Sequence, residues 1–278
     1  MKALLRPSLF PMPTSASRTS AVKPKPPRIR GVPAVSRAIA ILRLLGQSPE
    51  PLGVKAIADE LELVPSTCLH ILRVLVDEEL LRVDPASKRY TMGSGMLSLA
   101  RSALEASDFA TLSQPVLDRI AQEWNVSSMG VEISATDHMV VLSLSRSANP
   151  FRLHVDVGSR FPALVSATGR LVAAFSGDSW SVLEKKFKAV RWDKPIALAN
   201  WKKEVEQARR AGYAVDRGSY ISGVTLIAVP LLNAAGCITH TLVAAGLSDN
   251  LSMAASRALA GELRDEAVKL GSLMTHRA

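Results

Sequence analysis

Ser66, His70, Arg73 and Asp77 recur at i, i+4, i+7 and i+11 within LVPSTCLHILRVLVDEELLR, the stretch from Leu63 to Arg82. At about 100° per residue they fall in roughly a 60° stripe of one helix, flanked by Leu69, Leu72 and Val76 on one side and Ile71 and Leu75 on the other. A hydroxyl, an imidazole and a guanidinium on successive turns suit base edges and phosphates. His70 and Arg73 can donate to guanine N7 and O6, Arg73 in bidentate fashion, and the short Ser66 and Thr67 permit close approach at the helix start. An ordinary solvated face would carry the same residues, so the stripe alone leaves both readings open.

The elements that must hold such a stripe are present. Val35 to Leu45 carries apolar residues at 35, 38, 42 and 45, a helical period that Gly46, Pro49 and Pro51 end. Val54 to Leu61 forms a second short helix, and Pro65 suits the first turn of the third, where its missing N–H costs nothing. Leu81 to Asp84 and Arg89 to Met92 read as strands around a Pro85-Ala86-Ser87-Lys88 turn. Three helices and a hairpin are the layout of a winged helix-turn-helix, with Lys88 and Arg89 on a wing placed to touch the DNA backbone.

Gly95 to Ala106 returns to helix, with Met96, Leu99, Ala100, Ala103 and Leu104 on one face, as a linker and dimer seam. Beyond Phe109 the pattern changes. An amphipathic helix ends near Trp124, and SSMGVEISA, MVVLSLSRS and PFRLHVDVG alternate like antiparallel strands. Ser166 to Phe175 and Trp201 to Ala211 read as helices, Gly212 to Asp216 as strand, and Leu251 to Met274 as a closing helix. The fold class expected is α+β. Its parts are a tail over residues 1–32, a winged helix-turn-helix over 33–94, a linker helix over 95–108, and a sensor-like domain with an antiparallel sheet flanked by helices over 109–278.

The formal charge of +9 is uneven. Residues 1–30 hold seven basic residues and no acid, whereas 31–95 hold seven basic and eight acidic ones. With prolines at 7, 11, 13, 24, 26 and 27, the tail reads as unfolded. It fits an arm touching phosphate, a plain extension, or a targeting peptide, although the prolines spoil an amphipathic helix. Gly218 to Ser248 lacks Lys, Arg, Asp and Glu, but Asn233-Ala-Ala-Gly236 is a turn between β-branched runs. Two buried strands explain it better than a membrane span. Cys68 and Cys237 belong to no ligand-spaced cluster, which fits a reducing cytoplasm.

The quoted segments VPAVSRAIAILRLL, LGVKAIADELELVPST and LLRVDPASKRYTMG, with VGSRFPALVSATGRLVAAF and GYAVDRGSYISGVTLIAVPLLNAAG, resemble the IclR-type family of bacterial transcriptional regulators from residue 33 to about 275. The resemblance implies a GAF-like C-terminal domain that binds a small organic or aromatic acid and modulates operator binding by a homodimer or a dimer of dimers. Carried onto this chain, the effector-binding positions are Ala167, Thr168, Asp216, Leu226, Val243 and Ala245. A helix N-terminus at Ala167 and Thr168 suits a carboxylate, and Asp216 could orient a hydroxyl or amide of the ligand. Relatives that take very small oxo-acids have polar residues where Leu226, Val243 and Ala245 stand, so a larger, more apolar ligand is expected. Packed core, a capping hydroxyl and a solvated loop carboxylate are the respective bland readings of the trio, Thr168 and Asp216. Two positions depart from the family: Glu62 replaces the usual turn glycine, at a cost of about 1 kcal/mol if φ is positive, and His70 replaces a common arginine.

Nothing in the chain spells catalysis. G-x-S-x-G, HExxH, P-loop and G-x-G-x-x-G motifs are missing, and the histidines at 70, 138, 154, 240 and 276 are scattered. His154 and Asp156 flank Val155 on what reads as one strand face, a structural arrangement or a metal pair. No cofactor and no metal are expected. The expected partners are double-stranded operator DNA and a small acid; a small-molecule enzyme or interaction module with an accessory helical domain is the alternative.

Overall fold

The computed structural model describes residues 32–134, 137–146 and 153–275. The basic tail up to residue 31 and His276 lie outside the described residues. The chain divides into two compact units that meet in sequence between Gly95 and Met96.

The first unit contains α1 (Pro33–Gln47), β1 (Leu52–Gly53), α2 (Val54–Glu60), α3 (Pro65–Asp77), β2 (Leu81–Val83) and β3 (Arg89–Met92). Both α1 and α3 begin with proline at their first turn, as the missing donor there allows. Ile41 and Leu45 of α1, Ile57 and Ala58 of α2, and Cys68, Leu72 and Leu75 of α3 meet Leu81 and Tyr90 in one core. The two-residue β1, which the sequence pattern does not announce, extends the hairpin to a sheet of order β1-β3-β2.

The turn between α2 and α3 is a Schellman motif. Leu63 N–H donates to Ala58 O at 2.8 Å, Glu62 N–H donates to Asp59 O at 3.3 Å, and Glu62 has φ of 52°. The residue that replaces glycine is therefore left-handed. Leu63 closes the motif against the core.

The second unit contains α4 (Gly95–Glu105), α5 (Asp108–Trp124), β4 (Ser127–Ser134), β5 (His138–Ser145), β6 (Arg160–Pro162), α6 (Ser166–Phe175), α7 (Trp180–Lys188), α8 (Leu198–Ala211), β7 (Ala214–Arg217), β8 (Val224–Leu232), β9 (Ile238–Leu247) and α9 (Met253–Thr275). The strands form one antiparallel sheet of order β6-β5-β4-β9-β8-β7. Strand alternation sorts the long hairpin onto two cores. Ile227, Val229, Leu242 and Ala244 pack with α5 and α9, whereas Leu226, Ala228, Val243 and Ala245 pack with α6 and α8. Arg119 of α5 pairs with Glu262 of α9, which also accepts from Trp124 Nε1 at 2.8 Å. The apolar stretch over 224–247 is thus a buried hairpin around Asn233, whose Oδ1 accepts from Ala235 and Cys237 amides. Among the described residues no helix is long and apolar enough to cross a membrane.

Of the strand expected over PFRLHVDVG, residues 150–152 lie outside the described residues and 153–158 are not a strand. Residues 153–158 alternate like a strand but form tight turns: Val155 N–H bonds Leu153 O at 2.8 Å, and Ser159 N–H bonds Asp156 O at 2.9 Å. These local bonds, with Asp156 N–H donating to Ser159 Oγ at 3.0 Å, take donors a ladder would need, and the segment meets β5 at its end, where Gly158 N–H donates to Val141 O at 2.8 Å. Alternation survives because Leu153 and Val155 still turn toward the core. His154 and Asp156 are therefore not a strand pair; Asp156 bonds Arg146, and no metal-binding cluster occurs among the described residues.

Candidate functional site

On α3, Ser66, His70, Arg73 and Asp77 are all exposed and Thr67 is half-buried, while Cys68, Leu72 and Leu75 are sealed in the core behind them. Burial pushes the Cys68 thiol up, leaving it an inert packing group. Among the described residues no hydrogen bond or ion pair engages the side chains of Ser66, His70 or Arg73, so the edge is open to an outside partner.

The wing beside it is well formed. Asp84 Oδ1 accepts from Ala86 N–H at 3.0 Å and from the Ser87 amide and hydroxyl at 2.6 and 2.9 Å. These bonds, those from Ser87 foremost, hold the Asp84 carboxyl below its usual range. Lys88 takes the left-handed position of the turn, with φ of 55°, and is exposed. Arg89, expected with Lys88 on the wing, is partly engaged within the protein. Its Nη1 donates to Pro51 O at 2.9 Å, so one arm tethers β3 to the chain entering β1.

In the second unit, a cavity of about 60 Å³ lies between the sheet and the start of α6. That is room for roughly four or five waters, or for a small ligand if the walls part. Met129 and Val131 of β4, Met139 and Val141 of β5, and Leu226 and Val243 of the hairpin form an apolar floor. Ser166, Thr168 and Tyr220 are its polar groups. Burial, with the charge of Asp193 second, pushes the Tyr220 phenol up, so it stays a donor at neutral pH. The first turn of α6 leaves backbone N–H groups without intrahelical partners. Ser166 begins that turn with φ of 58°, and a Cβ at Gly169 would lie 2.1 Å from the Leu164 backbone, so the entry to α6 requires glycine there.

Of the positions carried over from the family resemblance, Thr168, Leu226 and Val243 line this cavity. Ala167 and Ala245 are buried in the surrounding core without lining it. Asp216 stands apart from these. It is neither a solvated loop carboxylate nor a cavity wall, but is wholly buried on β7. Its Oδ2 meets Arg170 Nη1 at 3.3 Å and its Oδ1 accepts from Ser219 N–H at 2.8 Å. Both oxygens are committed. Arg170, itself buried, also donates through Nε to Glu204 at 2.7 Å and through Nη1 to Ser166 O at 2.7 Å. Asp216 therefore positions the arginine that anchors the start of α6. The β4 and β5 wall residues were legible as a period-two apolar face; Tyr220 and Ile221 lie in an irregular loop that no pattern marks.

A winged helix-turn-helix ahead of an antiparallel sensor-like unit defines a DNA-binding regulator with an effector domain. Comparison with known proteins agrees. The pattern of the bacterial transcriptional regulator IclR C-terminal domain matches residues 101–272, and that of the IclR helix-turn-helix domain matches residues 34–85. The chain belongs to the IclR family of bacterial transcriptional regulators. It is 28% identical over 205 residues to the glycerol operon regulatory protein of Streptomyces griseus, covering 73% of this chain and 80% of that one. The IclR transcriptional regulator from Alicyclobacillus acidocaldarius superposes with a TM-score of 0.77 at 23% identity, over 87% of this chain and 98% of that one. An IclR homologue from Microbacterium hydrocarbonoxydans complexed with 4-hydroxybenzoate gives 0.67 at 20% identity, over 86% and 98% of the two chains.

Proposed function

We propose that α3 reads operator DNA in the major groove through Ser66, Thr67, His70 and Arg73, while Lys88 and the outer arm of Arg89 contact phosphates from the wing. The observation that carries this reading is the exposed, unpartnered edge of α3 on a fully anchored helix. A mobility-shift assay on the DNA upstream of the protein's own gene tests it. A salt-sensitive, sequence-selective complex is expected; failure to retard any such fragment would sink the assignment.

The effector is a small organic acid with an apolar, aromatic or cyclic body. Its body rests on the methionine and aliphatic floor, and its carboxylate faces the first turn of α6, where open N–H groups and the positive helix end favour an anion. Tyr220 supplies a further donor. The homologue complexed with 4-hydroxybenzoate supports this ligand class. Calorimetry should show binding of 4-hydroxybenzoate in preference to glyoxylate or pyruvate, and the reverse order would refute it. The protein acts as a homodimer, or as a dimer of dimers, through α4. That helix buries none of its residues, leaving Leu97 72% and Leu99 57% exposed. A monomer by light scattering at micromolar concentration would contradict the seam.

A further inference from the structure

The effector unit holds a second concavity that shares no wall residue with the apolar cavity. It lies among α8, the start of β7 and the first turns of α9, with a volume of about 300 Å³. Arg170, Glu204, Gln207, Tyr213, Ser256 and Arg257 supply its polar groups, over a floor of alanines, Val215 and Met253. We propose that this cleft is a second ligand site, for a small carboxylate, independent of the apolar cavity.

Three observations converge. The Ser256 hydroxyl is wholly buried and has no hydrogen-bond partner among the described residues. A hydroxyl left so is costly, and a ligand oxygen would relieve it. Arg170 is 2% exposed and engaged through Nε and Nη1, yet no acceptor among the described residues takes Nη2. Third, Glu204 and the buried Asp216 both pair with Arg170, so Arg257, exposed and without an ion pair among the described residues, is the cation left for a ligand. Glu204 itself shows the chemistry: it is a half-exposed carboxylate bound to Arg170 at 2.7 Å. A ligand carboxylate would meet the Arg257 guanidinium at the rim and Nη2 of Arg170, which already holds Glu204 and Asp216, with Tyr213, Gln207 and Ser256 donating to its oxygens. Planar guanidinium groups suit such a partner, and the apolar floor accommodates a short carbon chain.

Calorimetric titration of the full chain with succinate, and separately with acetate, at constant ionic strength in chloride tests the proposal. Saturable binding of at least one of them is expected. Arg257→Ala and Ser256→Val should each weaken it by about tenfold, the loss of one charge-assisted hydrogen bond. Leu226→Trp, which fills the apolar cavity, should leave it unchanged. Absence of saturable binding by both acids overturns the proposal. So does wild-type affinity in Arg257→Ala and Ser256→Val proteins whose circular dichroism is native. Loss of binding in Leu226→Trp would also overturn it, by moving the carboxylate to the apolar cavity.

Discussion

Replacing Glu62 by glycine should stabilise the helix-turn-helix unit. Glu62 occupies the left-handed position of the Schellman turn between α2 and α3, with φ of 52°, and its side chain is exposed. A side-chain-bearing residue there costs roughly 1–2 kcal/mol. Glycine removes that strain but adds about 0.4–1 kcal/mol of unfolded-chain entropy. The Leu63-to-Ala58 and Glu62-to-Asp59 bonds are backbone bonds and survive the change. The mid-range net gain is therefore about 0.8 kcal/mol, or roughly 3–6 °C in the transition of a unit this small. Glu62→Ala is the control, because it removes the carboxylate and keeps the Cβ. Thermal melts followed by circular dichroism should rank Glu62→Gly above both Glu62→Ala and wild type. A glycine variant no more stable than the alanine variant would refute the strain argument.

Arg73→Ala should lower operator affinity by roughly 1–3 kcal/mol and relax base preference at one position, while Lys88→Ala should weaken all sequences alike and reduce the salt slope by about one; titrations across ionic strengths separate the two. Leu226→Trp should abolish 4-hydroxybenzoate binding while native circular dichroism is retained, and unchanged affinity would place the ligand elsewhere. His240 sits against the Phe109 ring at 4.2 Å and beside Glu132 on β4, and burial pushes its pKa from 6.5 down to about 4. Because the folded value lies below the unfolded one, its contribution is complete above pH 6.5 and is lost as pH falls toward 4. The loss reaches about 3 kcal/mol at full protonation. Denaturant melts between those pH values should show a flatter slope in His240→Phe, and an unchanged slope would exclude the histidine as the source.

Much of the first unit was legible because its signals are local. The i, i+4, i+7, i+11 stripe follows from helical geometry once Pro65 marks the helix start, and the buried face behind it from leucine spacing alone. The long hairpin from Val224 to Leu247 was equally readable, since β-branched runs around Asn233-Ala-Ala-Gly236 leave few other solutions. Tertiary structure decided the rest. Leu153 and Val155 alternate as a strand would, yet the Leu153 carbonyl captured the Val155 N–H and made a turn. Only the fold brought Arg170, 46 residues earlier in the chain, to the side of Asp216. Arg89 reads from the sequence as a wing cation beside Lys88, and only the fold brings Pro51 O to its guanidinium. Periodicity determines which face of an element is apolar, because that depends only on backbone repeat. Which polar groups pair is settled by who arrives nearby in three dimensions, and a buried charge takes whatever partner the fold delivers.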